Sequence, residues 1–236
     1  MRILHCSDLH ADDASFHWLV EQSERFDLVC LTGDLLDMNP YRLPPGQIDR
    51  VVGYIRQITA PVAICSGNHD NFSGDDPRLV DAAWLQELRG PRVWVDGDRF
   101  AWCGQKFRVF PWIASIPASA SPDEIWLIHA PPDLSPTSIV RGGPGFGDFE
   151  LGELCRSEAG PRLVLSGHVH DRQAWCAKIG RTWSLNPGRP NSAGSPNYIS
   201  IRIDHEMVAN FGTASGEAVT NAVQRLSWTI RSSAPS

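Results

Sequence analysis

Five short apolar runs in this chain each end in side chains that bind metal ions, and this repeated pattern restricts the fold most strongly. Aspartate, asparagine or histidine follows each run, and the runs span residues 3–4, 28–31, 62–65, 125–128 and 163–165. Continuous apolar runs are typical of buried strands, and open α/β sheets bind ligands beyond the carboxyl ends of their strands. The sequence therefore predicts a sheet edge that gathers carboxylate, amide and imidazole groups, which favours a metal centre with two ions.

Helical spacing of apolar residues between and after the first three runs predicts three helices, at residues 14–26, 47–58 and 78–88. Strand and helix alternate through this part of the chain. That alternation predicts a parallel sheet with helical crossovers.

Short strand patterns replace this alternation after Gly90. Segments 93–95, 100–102 and 106–110 are separated by glycines and predict an antiparallel meander. A helix near 148–158, which Asp148 can cap, precedes the run at 163–165. Three further short strands are predicted near residues 173–178, 182–185 and 198–203. The whole pattern predicts an α/β fold of two packed sheets in a single domain, residues 1–236. The tail after about residue 212 is compatible with a last strand or helix near 218–230.

Composition narrows the class of protein. The 236 residues include 27 acidic and 21 basic side chains, and the resulting formal charge of −6 argues against a nucleic-acid partner. The six cysteines form no C-x-x-C pair. The chain opens directly with a strand pattern, and no apolar stretch reaches membrane-spanning length. We therefore expect a soluble cytoplasmic protein with no membrane partner. The sequence gives no indication of oligomeric state.

Seven side chains are the candidate metal ligands: Asp8, His10, Asp34, Asn68, His129, His168 and His170. Asp8 and His10 are two residues apart, so on an extended segment both point the same way. Asp34 has two carboxylate oxygens and is able to bridge two cations. These ligand types suit Mn, Fe or Zn better than Ca. Two such ions about 3.5–4 Å apart generate hydroxide near neutral pH and stabilise an in-line phosphoryl displacement.

The ordered motifs resemble those of the calcineurin-like metallophosphoesterase superfamily. They are Asp8-x-His10, Gly33-Asp34, Gly67-Asn68-His69-Asp70, His129 and Gly167-His168-Val169-His170. The resemblance covers residues 8–170 and implies a four-layer α/β/β/α sandwich of two mixed sheets. It implies a first metal held by Asp8, His10, Asp34 and His170. The second metal would be held by Asp34, Asn68, His129 and His168.

The resemblance also implies two catalytic residues. His69 would face the leaving-group oxygen and either donate a proton or stabilise the developing charge. Asp37 would hydrogen-bond His69 and fix its tautomer, although Asp37 is also suited to capping the segment before Pro40. Asn68 and His69 would contact the substrate. Asp70 is expected to brace its loop instead of binding metal.

Loops rich in proline and glycine follow the strand ends that carry these ligands, and they predict the walls of a pocket. They span residues 38–46, 71–77, 111–122, 130–147 and 186–196. Trp112 is a candidate wall residue. Arg141 and Arg189 either meet a phosphate oxygen or remain solvated.

We therefore predict a metal-dependent phosphoesterase that acts on a small phosphate ester, with diesters or small nucleotides favoured. Met38-Asn39 stand where phosphoprotein phosphatases of the superfamily carry Arg-Gly, and residues 129–132 resemble the compact phosphodiesterase branch. A phosphomonoesterase is the nearest alternative. A nuclease fits the acidic charge less well. A non-catalytic scaffold on the same fold fits poorly with a full set of ligands and His69.

Overall fold

Two mixed sheets form the centre of the protein. The computed structural model describes residues 1–37, 46–71, 77–189, 196–204, 206–213 and 222–226, the side chains of 222–225 excepted. Within these residues, one sheet has seven strands and the other has six. The predictions for Met38–Asn39, for the loop at 190–195 and for most of the tail fall outside the described residues.

The first sheet has the strand order β13-β12-β11-β1-β2-β3-β4. Its strands are β1 (Arg2–Cys6), β2 (Leu28–Thr32), β3 (Val62–Cys65), β4 (Val93–Trp94), β11 (Asn197–Ile203), β12 (Met207–Thr213) and β13 (Ala222–Leu226). Strands β1 to β4 are parallel to one another, and β11, β12 and β13 extend the sheet from β1 in antiparallel fashion.

The second sheet has the order β5-β6-β7-β8-β10-β9. Its strands are β5 (Arg99–Trp102), β6 (Gln105–Val109), β7 (Glu124–Leu127), β8 (Leu163–Leu165), β9 (Cys176–Ile179) and β10 (Thr182–Leu185). The helices of the described residues are α1 (Asp13–Ser23), α2 (Gln47–Ile55) and α3 (Phe149–Arg156), together with a 3₁₀ segment at Pro77–Leu88.

Three apolar cores separate four layers, which confirms the expected sandwich. Alternate residues of each central strand point to opposite faces of its sheet. Leu4 packs with α1, α2 and the 3₁₀ segment on the outside of the first sheet. Ile3 packs in the core between the two sheets, which also contains Phe107 and Ile125. Trp126 packs against α3 on the far side of the second sheet.

The predicted helices exist, but they are shorter or more broken than expected. Helices α1 and α2 end at Ser23 and Ile55. The N–H groups at residues 25, 26, 57 and 58 bond three residues back instead of four, which closes each helix with a tighter turn. The segment 77–88 is not one α-helix: Asp81 and Ala82 adopt left-handed conformations. The N–H of Asp81 donates to the side chain of Asn71, a tertiary contact that interrupts the helical pattern. Asp148 caps α3 as predicted, accepting from Leu151 N at 2.7 Å.

The predicted meander is half correct. Strands β5 and β6 form an antiparallel hairpin, but β4 pairs with β3 in parallel and belongs to the other sheet. Strand β12 was not predicted. In the part of the chain that the structure describes, no helix is both long and apolar enough to cross a bilayer.

Candidate metal centre

The candidate ligands meet where the carboxyl ends of five strands converge. Strands β1, β2 and β3 are adjacent in the first sheet, and β7 and β8 are adjacent in the second. His129 follows β7, and its Nδ1 donates to the carbonyl oxygen of Thr32 at the end of β2 across 2.6 Å. This hydrogen bond joins the two sheets at the edge that carries the ligands.

The loops that follow these strands have unusual backbone conformations. Four of the seven candidate ligands, Asp8, His10, Asp34 and His168, have positive φ angles between 45° and 67°. Residues other than glycine rarely adopt positive φ angles, and such backbone strain concentrates at functional sites. Backbone hydrogen bonds from Asp8 N to Gly33 O (3.0 Å) and from His10 N to Asp34 O (2.9 Å) hold the first two loops together. Asp8 and His10 therefore converge through strained turns, and the expected extended segment is wrong.

Two glycines are required because the loops approach each other so closely. Gly33 has φ = +84°, and a Cβ there would overlap Nδ1 of His129. A Cβ on Gly67 would overlap Oδ1 of Asp34. Only glycine allows the backbone to lie against the ligands at these two positions.

The first ligand group contains Asp8, His10, Asp34 and His170, each with a donor atom within 4.8 Å of the others. His170 Nε2 lies 3.3 Å from Asp8 Oδ1, and His10 Nε2 lies 3.1 Å from His170 Nε2. Both carboxylates are buried, whereas the side chain of His170 is 42% exposed. The group is therefore open to solvent on the side of His170.

The second group contains Asp34, His129 and His168, again within 4.8 Å of one another. His129 Nε2 lies 3.3 Å from Asp34 Oδ1. Asn68 joins the group through its Oδ1, which lies 3.0 Å from His168 Nδ1. The structure thus brings all seven predicted ligands together, with Asp34 common to both groups.

The electrostatics of the cluster favour a bound cation. Burial lowers the pKa of His10 to about 4, although Asp8 and Asp34 act against it. Burial and the charge on His129 lower the pKa of His168 to about 4. For His129 burial also acts to lower the pKa, but the carboxylates of Asp34 and Asp8 outweigh it and raise the pKa to about 9. The carboxylates thus stabilise positive charge at the nitrogen of His129 that faces them.

Two buried nitrogens support a metal ion as that cation. Nε2 of His129 and Nδ1 of His10 are buried and have no hydrogen-bond partner. Because Nδ1 of His129 donates to a carbonyl, Nε2 is the atom that carries the lone pair in the neutral imidazole, and metal binding requires that form. Imidazole nitrogens with carboxylate and amide oxygens suit Mn, Fe or Zn, so the residues present fit the ions that the sequence predicts.

His69 and Asp37 lie beside the first ligand group. Donor atoms of His10, Asp37 and His69 lie within 4.8 Å of one another, which is compatible with an orienting role for Asp37. The backbone N–H of His69 donates to Asp34 Oδ1 at 2.8 Å, and its side chain is 25% exposed. The backbone of His69 is therefore anchored at the shared carboxylate, and its imidazole remains accessible from solvent.

Several bracing residues hold the ligand loops. Asp70 accepts from the N–H groups of Leu35, Leu36 and Gly67 at 2.9 Å each, which confirms its predicted bracing role. Burial and the nearby Asp34 raise the pKa of Asp70 to about 7.

Two bracing side chains were not predicted. Asn186 Nδ2 donates to Gly167 O at 2.8 Å and to Val169 O at 3.2 Å, fixing the loop of His168 and His170. Gln47 Oε1 accepts from Asp37 N at 2.8 Å. A polar residue at a helix start gives no sequence signal for such a contact.

The two arginine candidates differ in position. Arg141 pairs with Asp171 at 3.3 Å, and both side chains are more than half exposed, so Arg141 remains solvated. Arg189 donates its backbone N–H to His170 O at 3.2 Å. Burial is the main cause of the lowered pKa of His10, and the positive charge of Arg189 lowers that pKa further. Arg189 therefore lies near the first ligand group.

Comparisons with known proteins agree with this architecture. The family model for calcineurin-like phosphoesterases matches residues 1–172. The structure of TT1561 from Thermus thermophilus aligns with a TM-score of 0.57 and 18% identity, covering 84% of this chain and 93% of that chain. YfcE, a phosphoesterase from E. coli, aligns with a TM-score of 0.52 and 16% identity over 96% and 100% of the two chains.

A third structure, the NAD nucleotidase NadN of Haemophilus influenzae, aligns with a TM-score of 0.52 and 13% identity over 90% of this chain and 49% of that chain. At these identities the structural matches establish the fold alone. A search of curated protein sequences found no significant match.

Proposed function

This chain belongs to the calcineurin-like phosphoesterase family, and on that premise we propose that it hydrolyses small phosphodiesters at a centre of two metal ions. The observation that carries the proposal is the sharing of Asp34 between two ligand groups. One carboxylate common to two sets of donors is the arrangement that a pair of neighbouring cations requires.

Each group of ligands would hold one ion of Mn, Fe or Zn. Asp8, His10, Asp34 and His170 would hold the first, and Asp34, Asn68, His129 and His168 the second. Such ions, when bound, activate water near neutral pH and neutralise charge on phosphoryl oxygens. The buried carboxylates and the hydrogen bond from His129 to Thr32 keep the ligands in place before any substrate arrives.

His69 would act on the leaving group. Its anchored backbone and partly exposed imidazole allow it to reach a substrate oxygen and donate a proton or stabilise developing charge. Asp37 would position His69 from behind, and the side chain of Gln47 would hold the backbone of Asp37 in place through its N–H and carbonyl groups. Asn68, beside His69 in the chain, would contact the phosphoryl group as well as a metal.

The basic residues near the cluster support a diester over a monoester. A phosphate monoester carries about two negative charges near neutral pH, and tight binding of a dianion favours several arginine contacts. Among the described residues singled out as phosphate contacts, Arg189 lies near the first ligand group and Arg141 is solvated. A singly charged diester needs fewer such contacts.

The experiment compares kcat/KM for bis-para-nitrophenyl phosphate and para-nitrophenyl phosphate, with Mn²⁺ added and metal content quantified. The two substrates share a leaving group, so the comparison isolates the number of ester arms. We expect the diester to be hydrolysed more efficiently. A clear preference for the monoester contradicts the diester assignment, and hydrolysis of neither contradicts the wider proposal.

A further inference from the structure

A groove of about 500 Å³ lies beside the second ligand group. Residues 112–114 and residues 146–148 line it, together with Ala130 and His168. His168 is also a candidate metal ligand, so the groove is continuous with the proposed reaction site.

The ring of Trp112 lies directly against two histidines of the second ligand group. Its centroid is 5.3 Å from that of His168 and 5.4 Å from that of His129. A phosphoryl group held at the second ligand group would therefore have the indole as its neighbour. The backbone N–H of Trp112 donates to Ser66 Oγ at 2.9 Å, which fixes this wall to the loop that carries Asn68.

Two large apolar side chains stand in solvent along the groove. Ile113 is 75% exposed and Phe146 is 53% exposed. The loop that presents Phe146 is held by a hydrogen bond from its N–H to Ser138 O at 2.9 Å. Exposed apolar surface next to a reaction site is typical of a binding surface for an apolar group.

The polar groups of the groove do not suit a second phosphate. Its described lining contains neither lysine nor arginine. The carboxylate of Asp148 is already engaged, since it accepts from Leu151 N at 2.7 Å to cap α3. Indole and phenyl rings are therefore the main recognition elements, and they bind planar aromatic groups well.

We propose that this groove binds an aromatic group, a nucleobase or an aryl ring, of a phosphodiester substrate. The group belongs to the ester arm that remains bonded to phosphorus after the leaving group departs. The inference rests on the proposed function. His69 lies against His10, with ring centroids 4.4 Å apart, whereas Trp112 lies against His129 and His168. The leaving group on the side of His69 and the occupant of the groove are thus different arms of the same substrate.

The kinetic test uses phenyl para-nitrophenyl phosphate and methyl para-nitrophenyl phosphate, which share a leaving group and differ in the retained arm. We expect the wild-type protein to prefer the phenyl substrate about tenfold or more in kcat/KM, because the phenyl ring is removed from water. Trp112→Ala and Phe146→Ala should each reduce that ratio. Leu134→Ala removes an exposed leucine outside the groove lining and should leave the ratio unchanged. Equal kcat/KM for the two substrates in the wild-type protein overturns the inference.

A binding measurement separates this inference from the proposed function. Isothermal titration calorimetry on the Mn²⁺-loaded protein compares diphenyl phosphate with dimethyl phosphate. Tighter binding of diphenyl phosphate, weakened by Phe146→Ala, supports the groove even if neither substrate is hydrolysed. Equal affinity, or no effect of Phe146→Ala in a protein with unchanged metal content and circular dichroism, contradicts the groove while leaving hydrolysis at the metal centre intact.

Discussion

His129 donates its Nδ1 proton to the carbonyl oxygen of Thr32 across 2.6 Å. Because a carbonyl only accepts, this bond fixes the tautomer and leaves Nε2 to face Asp34 at 3.3 Å. Thr32 ends β2 of one sheet and His129 follows β7 of the other. A single hydrogen bond thus joins the two sheets and orients a ligand between them.

Replacement of the shared carboxylate tests the ligand assignment. Asp34→Asn preserves an oxygen that can accept from the N–H of His69 but removes the negative charge common to both ligand groups. We expect metal content to fall and phosphodiesterase activity to drop on the order of 100-fold or more. Elemental analysis and kcat/KM on bis-para-nitrophenyl phosphate measure the two effects. Asp123→Asn, at an exposed position, is the matched control, and full metal occupancy in Asp34→Asn would refute the shared-ligand role.

Removal of His69 tests the division between metal binding and proton transfer. His69→Ala should retain the metal ions but reduce kcat by about 10²–10⁴-fold, most strongly for substrates with poor leaving groups. A plot of log kcat against leaving-group pKa for a series of aryl diesters measures this dependence. Loss of metal together with normal turnover per bound ion would reverse the assigned roles.

A pair of glycine substitutions tests the close approach of the loops. In Gly67→Ala the new Cβ would overlap Oδ1 of Asp34, so we expect a loss of about 1–3 kcal/mol in the free energy of unfolding and weaker metal binding. Gly53→Ala is the control: it lies in α2, and nothing stands within 4 Å of the added Cβ. It should stabilise the protein by about 0.5–1 kcal/mol. Urea denaturation measures both, and equal effects of the two substitutions would count against steric crowding at Gly67.

The sequence predicts the architecture well because its strongest signals are local. Continuous apolar runs mark β1, β2, β3, β7 and β8, and the ligands follow their ends. By contrast, β4 pairs in parallel with β3 and is not part of the expected meander. The sheet that such a short strand joins depends on long-range packing, which the local sequence does not reveal. Strand β12 is paired with β11 along its whole length. Its own sequence has no clear strand pattern, so it was not predicted.

The candidate site was predictable in its residue types but not in its backbone. Motif order brings the seven ligands together, whereas the left-handed conformations of Asp8 and His10 depend on hydrogen bonds to a different loop. The hydrogen bond from Asp37 N to Gln47 Oε1 is likewise made to a different segment of the chain. Such contacts join residues distant in the chain and leave no periodic signal.

A buried carboxylate away from the metal ligands predicts a pH dependence of stability. Burial raises the pKa of Asp96 from 3.8 to about 7, although its bonds to Ser66 act to lower it. The folded state therefore holds more protons than the unfolded state between about pH 4 and pH 7, so stability falls as pH rises through this window. Asp96→Asn should lose this contribution and show a flatter profile.

Urea denaturation of the chelator-treated protein between pH 5 and pH 8 measures the difference between wild type and Asp96→Asn. We expect the difference to change by up to a few kcal/mol over this range. Asp123→Asn should parallel the wild type. A difference that is constant with pH would show that Asp96 ionises normally in the folded protein.

Anomalous scattering from a crystal of the Mn²⁺-loaded protein tests the central claim most directly. We expect two anomalous peaks with Asp34 between them, one near His10 and His170 and the other near His129 and His168. A crystal with no peak among these residues, or with manganese bound elsewhere at full loading, would contradict the metal centre and the function built on it.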